Sequence, residues 1–233
     1  MLANRMRMAA AGVGGGAVGD WWLSGGIDSA DVVSAYQAKG AASLAASLLD
    51  LENSNDLTEN GSVTWASGTG WSVFSSANYI SSTASFASGT NARTVIVRFV
   101  SDSNYTQRQN IVGLSNTAPV DLKGWSLTPE LAARYFGGNT IWANYGSADG
   151  GVFAVTYSGG TTANVIGYLD GSSLSSSSRS DITPNTESGL TIGHAVSGTA
   201  AFTFTGSIQA LAIYSTALSA GEVSSVSTAM AAL

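Results

Sequence analysis

The rhythm of apolar and polar positions changes along the chain. From Ser62 onward, brief apolar runs are separated by Gly, Asn, Asp and Ser: VTWAS, WSVFSS, TVIVRFV, NIVGL, IWANY, GVFAVTY, NVIGYLDG, LTIG and FTF. Short runs with this punctuation predict an antiparallel sandwich or barrel. In Thr94–Val100, Val95, Val97 and Phe99 share one face and Arg98 marks the other, the period of a strand. Asp170-Gly171 predicts a tight hairpin, because both central positions take positive φ, and Asn60-Gly61 and Asp149-Gly150 carry the same signal. The stretch SSLSSSSRS, Ser172 to Ser180, reads as a polar loop.

The two ends follow other rules. Asp28 or Ser29 can cap a short turn, and Ala41 to Leu49 is rich in helix formers. Near the C-terminus, Ile208, Ala210, Ala212 and Tyr214 alternate with Leu211 and Ile213. A strand apolar on both sides belongs inside a layered structure. Ser219 and Glu222 then form a capping box, and Val223, Val226, Met230 and Leu233 follow at helical spacing. The expected organisation is a Gly-rich arm over 1–22 and one domain over 23–233. In the arm, Arg5 and Arg7 precede a short apolar stretch broken by Gly12, Gly14, Gly15 and Gly16. That stretch is too short for a signal peptide and reads as a flexible tether.

The closing segment FTGSIQALAIYSTALSAGEVSSV resembles that of concanavalin A-like lectin/glucanase domains of the laminin-G-like type. FAVTYSGGTTANVIGYLDGSSL is similar to their paired central strands with a Y-x-D-G turn. LTIGHAVSGTAAFTF and WSVFSSANYISS match their L-x-I-G strand and their early aromatic strand. The resemblance covers roughly residues 30–230, by pattern rather than identity. It implies an all-β fold, a jelly-roll sandwich of two antiparallel sheets, here with an N-terminal arm and a short C-terminal helix. WWLSGGI and AYQAKGAASLAASLLDL also resemble, in general style, small phage virion proteins that carry such a domain.

Composition narrows the chemistry. The 233 residues are 44% hydrophobic, enough for a core, and only 10% charged. A net charge of −6 with nine scattered Lys and Arg excludes a nucleic-acid partner, which needs clustered cations. Cysteine is absent, so thiolate chemistry and disulfides are excluded. No apolar run is long enough to span a bilayer.

Glycosidases on this fold carry E-x-D-x-x-E on one strand, so that alternation brings the carboxylates into one cleft. The five Glu here are Glu52, Glu59, Glu130, Glu187 and Glu222, and Glu52, Asp56 and Glu59 have the wrong spacing in a loop-like context. His194, the one histidine, lacks a G-x-S-x-G partner and reads as a strand-end residue. Gly14, Gly16 and Gly19 match G-x-G-x-x-G without the flanking strand that a dinucleotide site needs. No cofactor is required by these readings. Calcium enters through the family resemblance, with Asp102, Asn104, Asp121 and Asp149 as rim oxygens; turn formation is the alternative role of all four. Trp125, Tyr135, Trp142 and Tyr145 are candidate platforms for a sugar ring, with core packing as the alternative. Trp21 and Trp22 either anchor the arm to a partner or plug the sandwich.

Three functions compete. The first is a non-enzymatic virion surface protein, docked through its arm to other virion or self subunits as a homo-oligomer. The second is a carbohydrate-binding adhesion module, calcium-dependent or not, at an extracellular or bacterial cell surface. A glucanase-type hydrolase ranks last because the carboxylate motif is missing.

Overall fold

The computed structural model describes residues 19–84, 91–102, 109–114, 125–128, 132–135, 140–144, 149–160, 163–179, 189–194 and 203–233. Residues 1–18, most of the expected arm, lie outside them. The strands are β1 (Val32–Gln37), β2 (Thr58–Asn60), β3 (Thr64–Ala66), β4 (Gly70–Ser72), β5 (Tyr79–Ser82) and β6 (Arg93–Ser101). They continue as β7 (Val112–Leu114), β8 (Trp125–Thr128), β9 (Ala132–Tyr135), β10 (Thr140–Asn144) and β11 (Gly150–Tyr157). The last are β12 (Ala163–Leu169), β13 (Ser172–Arg179), β14 (Leu190–Ile192) and β15 (Gly206–Tyr214). Among the described residues there are two α-helices, α1 (Leu44–Ser47), a single turn, and α2 (Ala220–Ala231).

The strands form two antiparallel sheets. One runs β13-β12-β11-β6-β15-β4-β3, with β1 also on β15, and the other runs β10-β9-β8-β7-β14-β5-β2. The expected all-β sandwich is therefore what the chain adopts. Between the sheets, Val95, Val97, Phe99, Phe153, Val155, Leu211 and Ile213 meet Ile80, Val112, Leu114, Leu190 and Ile192. On the far side of the first sheet, Ile96, Val152, Ala154, Ala212 and Tyr214 pack under Trp21, Trp22, Val223, Val226 and Met230. That sheet is thus a middle layer, and the second sheet is an outer one. β6, β11 and β15 are apolar on both faces because both of their faces are covered.

Helix α2 closes the third layer. Ser219 Oγ accepts from Glu222 N–H at 3.3 Å, and Glu222 Oε2 accepts from Ser219 N–H at 2.7 Å, so the capping box forms as read. At the other end, Arg98 Nη1 donates to the Met230 carbonyl at 2.7 Å. A cation there offsets the partial negative charge of the helix C-terminus. Asp28 caps the 3-10 turn Ser29–Asp31 through Ala30 N–H.

Three local readings change. Ser172–Arg179 is strand β13, not a loop: Asp170 (φ 49) and Gly171 (φ 79) close a hairpin that sets it against β12. As an edge strand it draws its order from backbone pairing, so serines serve without an apolar signature. Asn60-Gly61 joins β2 of the outer sheet to β3 of the middle sheet instead of closing a hairpin, and Asp149-Gly150 opens β11, whose neighbours are β6 and β12. In β15 the register shifts between Ile208 and Ala210, leaving Gln209 as an extra residue. This bulge turns Ile208 toward the inter-sheet core while Ala210, Ala212 and Tyr214 face α2. Trp21 and Trp22 are only 3% and 5% exposed. Their Nε1 groups donate to Gln37 Oε1 and Glu52 Oε2, and Tyr214 OH donates to the Trp22 carbonyl. Both rings pack within the chain's own third layer.

Truncating a methionine fully buried beneath a helix leaves a cavity, so Met230→Ala should lower the unfolding free energy by about 2–5 kcal/mol. Ser219→Ala, which removes only one capping bond, should cost about 1 kcal/mol. Urea denaturation of the two variants checks the ranking.

Candidate functional site

The helix layer covers the middle sheet only part of the way. Arg98, at the C-terminus of α2, pairs in register with Val152 and Ala210. Two residues on, the same face carries the row Val100–Ser207–Ser72–Thr64. Among the described residues nothing apolar covers that row, and Val100 is 45% exposed. Here lies a groove of about 550 Å³ lined by Thr69, Ser72, Val73, Phe74, Val100, Asp102 and Phe204–Ser207. Small-molecule sites run to about 300–1,000 Å³.

Val73 forms one side of it. Its φ is 57, left-handed backbone that a β-branched side chain adopts only under strain. The position has a local cause. β4 ends at Ser72, and the left-handed residue swings the chain from the middle sheet toward β5 of the outer sheet. Phe74 can then enter the sandwich end, where its ring meets Phe204 at 6.2 Å between centroids, and Phe204 meets Phe99 at the same distance. A turn built on Ser75 and Asn78 follows. The strain costs roughly 1–3 kcal/mol, yet the isopropyl group is 61% exposed. Two branched aliphatic groups, Val73 and Val100, are thus held in solvent above a buried phenyl floor.

Polar groups ring that floor. Gln109, 6% exposed, grips Thr205 twice: its Nε2 donates to Thr205 Oγ1 at 2.8 Å, and its Oε1 accepts from Thr205 N–H at 3.2 Å. With its oxygen already accepting, the Thr205 hydroxyl keeps its proton to donate. Asp102 N–H donates to the Thr205 carbonyl at 3.2 Å, so its carboxylate stands at the same rim. Gly206 has φ 144, and a Cβ there would fall 2.2 Å from the Val100 carbonyl oxygen, so only glycine lets β15 start this close to β6. The lining holds hydroxyls and one carboxylate, with no Lys, Arg or His among the described residues.

Of the residues singled out from sequence, Asp102 is in this groove. Asp149 is its neighbour across the ladder, its carbonyl accepting from Ser101 N–H at 2.8 Å. Asn104 and Asp121 lie outside the described residues, and among the described residues no three His, Asp or Glu side chains gather at metal-holding range. Trp125 and Tyr135 are directly paired between β8 and β9, in the register row of Leu114. Trp142 stands on β10 at the register irregularity between Ile141 and Ala143, and Tyr145 lies outside the described residues. This strand set is at the opposite edge of the outer sheet from β2.

Most described carboxylates serve the fold. Asp56 and Glu59 accept from the backbone N–H of Asp50 and Val63, Asp50 accepts from Ala35, and Asp170 accepts from Val152. With Glu52 on Trp22 and Glu222 in the capping box, no E-x-D-x-x-E cleft is formed from them. Glu130 and Glu187 lie outside the described residues.

His194, 3% exposed, sits past the end of β14 with its ring 5.7 Å from that of Tyr79 and its Nδ1 3.3 Å from Thr203 Oγ1. Burial depresses its pKa below the ordinary 6.5.

The groove residues Val73, Val100, Thr205 and Ser207 escape sequence reasoning, although one signal was readable. In TVIVRFV the alternation puts Val100 on the face of Arg98, an apolar residue on the side carrying charge. Val73 has no such mark, because its conformation is imposed by the crossing between sheets.

No family model and no curated protein matches the chain in sequence. Solved structures share its fold. Domain 4 of AbnA, a GH43 extracellular arabinanase from Geobacillus stearothermophilus solved with arabinotriose, matches with a TM-score of 0.60 and 16% identity over 84% of this chain and 98% of that one. Trypanosoma rangeli sialidase, in complex with 2,3-difluorosialic acid, matches with a TM-score of 0.60 and 16% identity over 84% of this chain but only 33% of its own. The binding domain of Paraclostridial Mosquitocidal Protein 1 gives a TM-score of 0.59 and 17% identity over 84% of this chain and 51% of that one. At these identities the likeness shows the β-sandwich fold.

Two outcomes follow. Val73→Gly should stabilise the fold by about 1 kcal/mol, since glycine adopts this φ without strain; a lower thermal midpoint would mean the isopropyl group packs more than it strains. For His194, the unfolded chain takes up its proton first as pH falls through 6.5, so stability drops below that pH. His194→Gln should flatten this part of the profile, read from urea midpoints at about pH 7.5 and about pH 5.5.

Proposed function

We propose that this chain is a non-enzymatic carbohydrate-binding β-sandwich domain that receives a saccharide in the groove at the end of β4, β6 and β15. The observation that carries the reading is the groove itself: aliphatic groups held exposed beside hydroxyls and a carboxylate. Saccharides present both C–H patches and hydroxyl fans, and sites of this mixed lining suit them. Asp102 would accept from sugar hydroxyls, and Thr205 would donate to one.

The fold neighbours support the same reading, since one was solved with arabinotriose and another is described as a binding domain. The engagement of Glu52, Asp50, Asp56, Glu59 and Glu222 in structural hydrogen bonds supports recognition without hydrolysis. Mounted on a particle surface, the setting implied by the phage-like sequence style, such a domain would serve adhesion.

Glycan-array screening and titration calorimetry of the full chain test the proposal. Asp102→Ala should weaken the best array ligand about tenfold, the loss of a charge-assisted hydrogen bond. Reducing-sugar release should be absent. A blank array, or an Asp102→Ala variant that binds unchanged, would overturn the groove as the site.

A further inference from the structure

The shape and charge of the groove specify its ligand further. We infer that it selects neutral sugars bearing a methyl group, an inference that rests on the saccharide reading above. A flat pyranose face stacks on a flat exposed ring, but the rings here, Phe74 and Phe204, are 7% and 1% exposed and lie beneath the surface. What reaches solvent is the pair of isopropyl groups on Val73 and Val100. Branched aliphatic groups suit contact with a single methyl substituent better than with a flat ring face.

The polar side gives the charge. Among the described residues of the lining, Asp102 is the one charged side chain, and it is an anion. The chain as a whole carries −6. A carboxylate-bearing or sulfated sugar would meet repulsion from this carboxylate, which favours neutral sugars. Hydroxyl pairs on a neutral ring instead match the acceptor atoms of Asp102 and the donor of Thr205.

The backbone supports a dedicated apolar contact. Val73 occupies a conformation that glycine would fill without strain, and it exposes its side chain there. Strain retained at an exposed apolar residue is the pattern of a contact kept for binding. The β15 bulge contributes as well, because it sets Ser207 beside Val100 on this face while Ile208 turns inward.

Matched sugar pairs test the inference on the full-length chain. L-fucose is compared with L-galactose, and N-acetyl-D-glucosamine with D-glucose, by titration calorimetry and saturation-transfer NMR. N-acetylneuraminic acid supplies the acidic arm. At least one methyl-bearing member should bind about fourfold or more tighter than its partner, the transfer of one methyl group out of water. The pair that shows the difference tells a deoxy methyl from an acetamido methyl. Saturation should be strongest on the methyl protons. Val73→Gly should erase the preference while raising the thermal midpoint, and Val73→Thr, which keeps the shape, should reduce it without unfolding the protein. Equal affinities within both pairs, or N-acetylneuraminic acid bound as tightly as the neutral sugars, would overturn the inference and leave the saccharide reading standing. Failure of every sugar to bind would remove both.

Discussion

The structure depends on one constraint: the central stretches of three neighbouring strands, β11, β6 and β15, are apolar on both faces, so both faces there must be covered from water. Residues such as Val97 and Leu211 require one cover, and Ile96 and Ala212 require another. The outer sheet provides the first. The second comes from the two ends of the described chain, Trp21-Trp22 and α2, brought together on one surface. Burial of apolar area from water on both sides stabilises the middle sheet and fixes where each end must lie.

Among the described residues the third layer is shorter than the sheet it covers, and the groove lies beyond its end. Among the described residues cover ends at Arg98, whose guanidinium donates to the Met230 carbonyl of α2. Beyond it the strands run on for one more row, and Val100 stands bare. The same stretch is where the chain must cross from one sheet to the other, which forces Val73 into left-handed backbone and drives Phe74 into the sandwich end. The groove and the crossing between sheets share these residues. The strain at Val73 serves the crossing, and the side chain it exposes serves the groove.

Conformation at the rim is set by hydrogen bonds reaching far along the chain. Gln109 holds Thr205 from nearly a hundred positions away, and Asp102 is tied to Thr205 through the backbone. Such contacts hold a polar rim in one arrangement, which lowers the conformational cost of binding. His194, buried past the end of β14, sits apart from the groove lining and bears on stability through its protonation.

By itself, the sequence determined the class of fold and its layering. Period-two runs require strands, the double-faced β15 requires a buried position, and Ser219 with Glu222 starts a helix, because all three signals are local and act on adjacent backbone. Tertiary structure alone decided the rest. A bulge at Gln209 inverted the facing of Ile208, since a single extra residue shifts parity and leaves no mark in composition. Pairing with β12 made a strand of a serine run whose side chains carry no apolar pattern. Trp21 and Trp22 became core because of what folds over them. The groove, too, was invisible from residue order: its sides come from Val73, Val100 and Thr205, which the crossing between sheets and the register of β6 and β15 bring together.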